Sequence, residues 1–286
     1  MRDQAENLRI KLMGHAAKTN TKAIAVVSGK GGVGKSNFSL NFSITLSKRG
    51  FRVLLFDMDV GMGNLDILMG RSSEKTIVDY LRGSSDLKDI IMNGPEGIKY
   101  IGGGTALSQL VEMNRLADLA DELDTFLGEY DFLIFDMGAG VNEDSLKFLL
   151  SVHEIFVVTT PEPTSIMDAY STMKYLHLLD PSLPFYIVAN RVQSIKEGKE
   201  TINRLTNVLK KFLDKEPLYL GVLPDDRTVQ QAVKRQIPFI TFNPKSLISS
   251  ALEDLVNRYV QQKTQETVSY TSISFVSKLK KFLFER

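Results

Sequence analysis

Short runs of apolar, often β-branched residues recur along the chain, separated by longer stretches in which apolar positions return every three or four residues. The runs at 23–28, 53–56, 132–135, 155–159, 185–189 and 218–223 are mostly apolar throughout. A strand with one wet face alternates, whereas one covered on both faces does not, so these runs predict the buried strands of a parallel sheet. Segments 35–49, 116–127, 143–151, 165–179 and 200–213 carry the helical period instead. Repeated βα units of this kind build an α/β fold: a doubly wound, mostly parallel sheet with helices on both faces. Residues 74–110 show no clear period beyond the turn signal Gly102-Gly103-Gly104.

The same pattern divides the chain. A polar leader spans 1–21, the alternating body 22–262 is the part expected to fold alone, and 263–286 reads as a linker followed by a short helix. Within that tail Phe275, Val276, Leu279, Phe282 and Leu283 share one helical face, opposite Ser274, Ser277, Lys278, Lys281 and Glu285. Lys278, Lys280, Lys281 and Arg286 make the tail basic, so it suits the plane of an anionic membrane surface. The rival expectation is a helix that covers its own domain, the commoner use of an amphipathic face.

Composition narrows the field. The 286 residues are 43% hydrophobic and 24% charged, which is ordinary for a folded domain. Lys plus Arg, 35, nearly cancels Asp plus Glu, 34, so no specific nucleic acid is expected as a partner. The absence of cysteine removes disulfides, thiolate metal sites and cysteine nucleophiles. No signal-peptide pattern and no membrane-spanning apolar run are found, so a cytoplasmic location is expected, reversibly peripheral at the inner face of the cell membrane. His15, His153 and His177 lack metal-ligand spacing.

The first strand runs into Gly29-Lys30-Gly31-Gly32-Val33-Gly34-Lys35-Ser36 and then a helix, which satisfies the phosphate-loop pattern in the context its chemistry needs. Glycines let main-chain amides curl around phosphate oxygens, and the helix presents its positive end. Lys35 then reaches the β- and γ-phosphates, Ser36 the Mg²⁺ ion, and Asn37 extends the cradle. Asp57 and Asp59, two apart at the end of the second strand, point to one side. One of them can serve a hydrated metal while the other orients the attacking water. Asp136, closing the strand at 132–135, sits where a phosphate-site metal is usually served.

The extra lysine, Lys30, makes this loop similar to the deviant Walker A signature of MinD/ParA ATPases. Asp57-Met58-Asp59-Val60-Gly61-Met62-Gly63-Asn64-Leu65-Asp66 resembles the same family's first switch, and Asp136-Met137-Gly138-Ala139-Gly140 its second. The resemblance implies an ATPase that uses ATP and Mg²⁺ and closes as a homodimer, with Lys30 acting across the dimer. It assigns Asp59 to hydrolysis, Asp57 and Asp136 to the metal surroundings, Asn190 beside Arg191 to the adenine edge, and Pro224 and Asp225 to a segment over the base. In such a dimer, pairing of two weak tails strengthens membrane binding through effective concentration.

Near the other end, Asp3, Gln4, Ala5, Leu8 and Arg9 resemble the activating segment of the FlhG family, MinD-like ATPases that govern flagellar number and placement. That resemblance implies a signal-recognition-type GTPase partner, FlhF, with Gln4 presented to its nucleotide site, and flagellar switch or C-ring proteins as further partners. Two rival readings remain: a division-site MinD or DNA-partitioning ParA with the same engine, and a low-turnover nucleotide-binding recruitment scaffold.

Overall fold

The computed structural model describes residues 21–59, 63–103, 113–140, 143–266 and 275–284. In chain order the elements are β1 (Lys22–Val27), α1 (Lys35–Lys48), β2 (Val53–Met58), α2 (Leu65–Met69), α3 (Ile77–Leu81), α4 (Leu87–Ile90), β3 (Met92–Asn93) and β4 (Lys99–Ile101). Then follow α5 (Met113–Phe126), β5 (Phe132–Met137), α6 (Glu143–Ser151), β6 (Glu154–Thr159), α7 (Pro163–Leu179), β7 (Phe185–Val192) and α8 (Ile195–Leu213). The last are β8 (Leu218–Pro224), α9 (Arg227–Lys234), α10 (Phe239–Phe242), α11 (Leu247–Glu266) and α12 (Phe275–Phe284).

The strands form one sheet in the order β3-β4-β2-β5-β1-β6-β7-β8. Every pairing is parallel except the edge pair β3–β4. Alternate residues of β1 serve the two cores: Ala23, Ala25 and Val27 face α5 to α8, while Ile24 and Val26 face α1, α10 and α11. Burial on both faces is why the strand runs read as apolar throughout. Because the strands are parallel, their carboxyl ends meet along one rim, and the chain reverses its winding beside β1. Ligands of open α/β sheets bind at such a switch point.

The expected boundary at 262 falls inside α11, which continues to Glu266. The tail is not a separate unit either. Phe275, Val276 and Leu279 of α12 are fully buried in the core shared with α5, α6 and β5. The Phe275 ring lies 5.2 Å from Phe135, which stacks at 4.8 Å on Phe56. Lys280 pairs with Asp121 of α5. Of the apolar face expected to meet lipid, Phe275, Val276 and Leu279 are therefore closed against the chain's own domain; the side chains of Phe282 and Leu283 lie outside the described residues.

Candidate nucleotide site

The phosphate loop joins β1 to α1 at the centre of that rim. Gly34 holds φ 95°, a left-handed conformation suited to glycine, and the first turn of α1 contains no acidic residue. The amides there face the loop with no side-chain cap, leaving the helix end free for an anion. Gly29 is required for another reason: a Cβ there would stand 2.1 Å from the Asp168 carbonyl carbon of α7. Ser28 Oγ donates to the Lys30 carbonyl at 3.0 Å, bracing the turn.

Lys35 is buried and donates to Asp136 Oδ1 at 3.0 Å. Ser39, one turn further along α1, donates to the same oxygen at 2.9 Å. Sequence reasoning missed Ser39; its only signal is its place one turn beyond Lys35 on the same helix face. Lys30 points the other way, with Nζ 3.1 Å from Glu162 Oε2 and both side chains largely exposed. The loop therefore carries one lysine turned inward and one turned out.

Asp57 lies directly opposite Asp136 in the β2–β5 register. Asp57 Oδ1 accepts the Asp59 amide at 3.0 Å and Oδ2 the Leu65 amide at 3.4 Å. Burial, with the Asp136 charge adding to it, pushes the Asp57 carboxyl up to about 7, against the pull of those amides. Of the two buried carboxyls, Asp136 alone is paired with Lys35. Two carboxyls side by side at the strand ends offer hard oxygens of the kind that fit a hydrated divalent cation. Asp59 sits beside the second switch: a Cβ at Gly138 would stand 3.3 Å from its Oδ1. Asp66, whose role the sequence left open, accepts the Ser73 amide and hydroxyl at 3.0 and 2.8 Å and so pins the loop behind the first switch.

These carboxyls give a pH dependence whose sign is fixed. Between its ordinary value near 3.8 and about 7, Asp57 holds a proton in the folded chain that the unfolded chain lacks. Stability without nucleotide should therefore fall as pH rises through that window, by about 4 kcal/mol at most. A cation held by the ionised carboxylate would displace the same proton, so magnesium-dependent nucleotide affinity should rise with pH up to about 7 and level off above it. Asp57→Asn is expected to flatten both profiles; melting temperatures and nucleotide titrations from pH 5 to 8 check this, and an unchanged slope in the variant refutes the assignment.

Beyond the loop, a cavity of 260 Å³ opens between the ends of β7 and β8. Gly34, Asn37, Asn190, Arg191, Pro224 and Asp225, all read from the sequence, line it. Phe38, Leu223, Val229, Gln230, Phe239 and Ile248 also line it and were not anticipated. The Asp225 amide donates to the Val192 carbonyl at 2.9 Å, bringing the two strand ends together. Asp226 accepts the Thr228 amide at 2.8 Å and the Ile248 amide at 3.2 Å, fastening the starts of α9 and α11 around the cavity. A slot of mixed polar and apolar lining, placed beside a phosphate loop, can both cover a base and hydrogen-bond its edge.

Comparison with known proteins decides the family. Residues 24–239 match the model of the CobQ/CobB/MinD/ParA nucleotide binding domain. The chain belongs to this family. The antiactivator FleN of Pseudomonas aeruginosa is 33% identical over 239 residues, covering 83% of this chain and 85% of FleN. The flagellum site-determining protein YlxH of Helicobacter pylori is 33% identical over 258 residues, covering 86% and 84%. Both relatives are of the FlhG kind, and so is this MinD/ParA-type ATPase. Among solved structures, the septum site-determining protein MinD of Pyrococcus horikoshii, complexed with Mg-ADP, superposes with a TM-score of 0.69 at 26% identity, covering 85% of this chain and 97% of its own.

The other anticipated sites fare differently. Asp3, Gln4, Ala5, Leu8 and Arg9 lie outside the described residues. Of the expected membrane face, Phe275, Val276 and Leu279 are buried as described above. Among the described residues no helix is long and apolar enough to cross a membrane.

Proposed function

We propose that this ATPase is a dimerising, reversibly membrane-bound switch that sets flagellar number and placement by acting on an FlhF-type GTPase and on basal-body assembly. The observation that carries the switch reading is the division of labour between the two loop lysines. Lys35 is spent inside the site on Asp136, while Lys30 stands outside it on an exposed carboxylate. An outward lysine on a phosphate loop is placed to serve the nucleotide of a second copy. The flagellar output is supported by the similarity to YlxH, a flagellum site-determining protein, and the GTPase partner by the leader motif alone.

In this reading the Gly31–Lys35 amides would hold the ATP phosphates, Lys35 would turn from Asp136 to the triphosphate, and Asp57 and Asp136 with Ser36 would hold the hydrated metal. Magnesium, when bound, supplies charge neutralisation on the β- and γ-phosphates. Asp59, beside Gly138, orients the attacking water. Membrane residence requires α12 to leave its groove, since its apolar face cannot be in lipid and in the core together.

Asp59→Ala should bind ATP, fail to hydrolyse it and accumulate a stable dimer, while Lys30→Ala in that background should return it to monomer. Sedimentation with ATP and magnesium reads both. A monomeric Asp59→Ala variant would remove the trans role from Lys30 and the switch with it.

A further inference from the structure

Asn190 lies in β7, two residues before its end, and is 9% exposed. Its amide nitrogen donates to the Val33 carbonyl of the phosphate loop at 2.8 Å, across 157 residues of sequence. A carbonyl only accepts, so the face turned to Val33 must be the NH₂ group, and the side-chain oxygen must point elsewhere. Two features show that this corner is built for the contact. Gly34 leaves room for it, since a Cβ there would stand 2.4 Å from the Asn190 nitrogen. The next residue, Arg191, adopts φ 56° at a break in the β7–β8 register, a conformation a non-glycine residue holds only at a cost.

We infer that the phosphate loop sets the base preference of the site: the Val33 carbonyl locks the Asn190 amide so that its Oδ1 is a fixed acceptor in the base cavity. A fixed acceptor receives a hydrogen from a 6-amino purine, is indifferent to a purine bare at that carbon, and opposes the lone pairs of a 6-oxo purine. Without the lock, the amide could turn over and offer NH₂ to a 6-oxo group equally well. Val33 and Gly34 thus act on the base through Asn190, as positioning residues. This rests on the reading of Asn190 as the residue that faces the base.

The test uses the full chain with magnesium and three triphosphates that differ only at C6: ATP, purine riboside triphosphate and ITP. Wild type should bind them in that order, with ATP at least about tenfold tighter than ITP, equivalent to roughly 1.4 kcal/mol. Asn190→Gln keeps the amide but is one methylene longer, so it loses the Val33 contact and is free to turn either its oxygen or its NH₂ to the base. Its ATP-to-ITP ratio should fall toward one. A wild-type ratio in Asn190→Gln overturns the lock while leaving Asn190 as base reader; a wild-type ratio in Asn190→Ala removes Asn190 from the base altogether. Melting curves of both variants confirm that a folded protein is being compared.

Discussion

Replacing Lys35 with alanine is expected to abolish measurable ATP binding, and to lower the melting temperature of the nucleotide-free protein as well. Both effects come from one contact. The ammonium is buried against Asp136, so its removal leaves that buried carboxylate without a cation, beside the second carboxyl of Asp57. Breaking one side of a buried pair typically costs about 3–5 kcal/mol, because the other charge is stranded. The triphosphate meanwhile loses its one internal lysine, and charge-assisted contacts of this kind carry at least about a hundredfold in affinity, near 2.7 kcal/mol. The double variant Lys35→Ala, Asp136→Asn separates the two: it should regain much of the stability and none of the binding. Calorimetry showing wild-type affinity for an ATP analogue in either variant would remove the triphosphate from this loop.

The site was legible in the sequence to the extent that its chemistry is local. Gly29 to Ser36 are consecutive, and Asp57, Asp136 and Asn190 each fall within the last three residues of an apolar strand, so strand endings and the parallel-sheet rule bring them to one rim. The cavity wall was not legible, because Phe38, Val229, Phe239 and Ile248 come from four elements and converge only after α1, α9, α10 and α11 have packed. Strands β3 and β4 escaped notice for a simpler reason. They are two and three residues long, too short to show a period. Helix α11 did leave a signal that went unread: Ile248, Leu252, Leu255, Val256 and Tyr259 recur at helical spacing and are all buried.

The tail shows where pattern alone stops. A helical wheel establishes that one face of α12 is apolar, and both a bilayer and a protein groove satisfy such a face. Which cover is used depends on what the rest of the chain presents, and here α5, α6 and Phe135 form a matching groove. Phe135 immediately precedes Asp136, and its stacking partner Phe56 immediately precedes Asp57. The groove floor and the carboxylate pair are therefore alternate faces of the same two strands. Any ligand that favours one arrangement of those strands over another also changes how well α12 is held, and the coupling is reciprocal.

Truncation after Ser272 is accordingly expected to do more than end co-pelleting with anionic vesicles. Phe275, Val276 and Leu279 are each essentially inaccessible, and burying such side chains contributes about 1.5–3 kcal/mol apiece, so the shortened chain forfeits on the order of 5 kcal/mol and exposes the groove. Its melting temperature without nucleotide should fall by many degrees, whereas a tail serving only as a membrane anchor could be removed with little change. Damage on the receiving side separates docking from lipid binding. Phe148 of α6 packs on Phe135, 6.2 Å between ring centres, and belongs to the groove but not to the tail. Phe148→Ala should weaken the groove's hold while keeping every lipid-facing residue of α12, so vesicle binding without ATP should rise although the truncated chain loses it. If Phe148→Ala leaves nucleotide-free vesicle binding unchanged and truncation leaves the melting temperature unchanged, the groove does not hold the helix in solution.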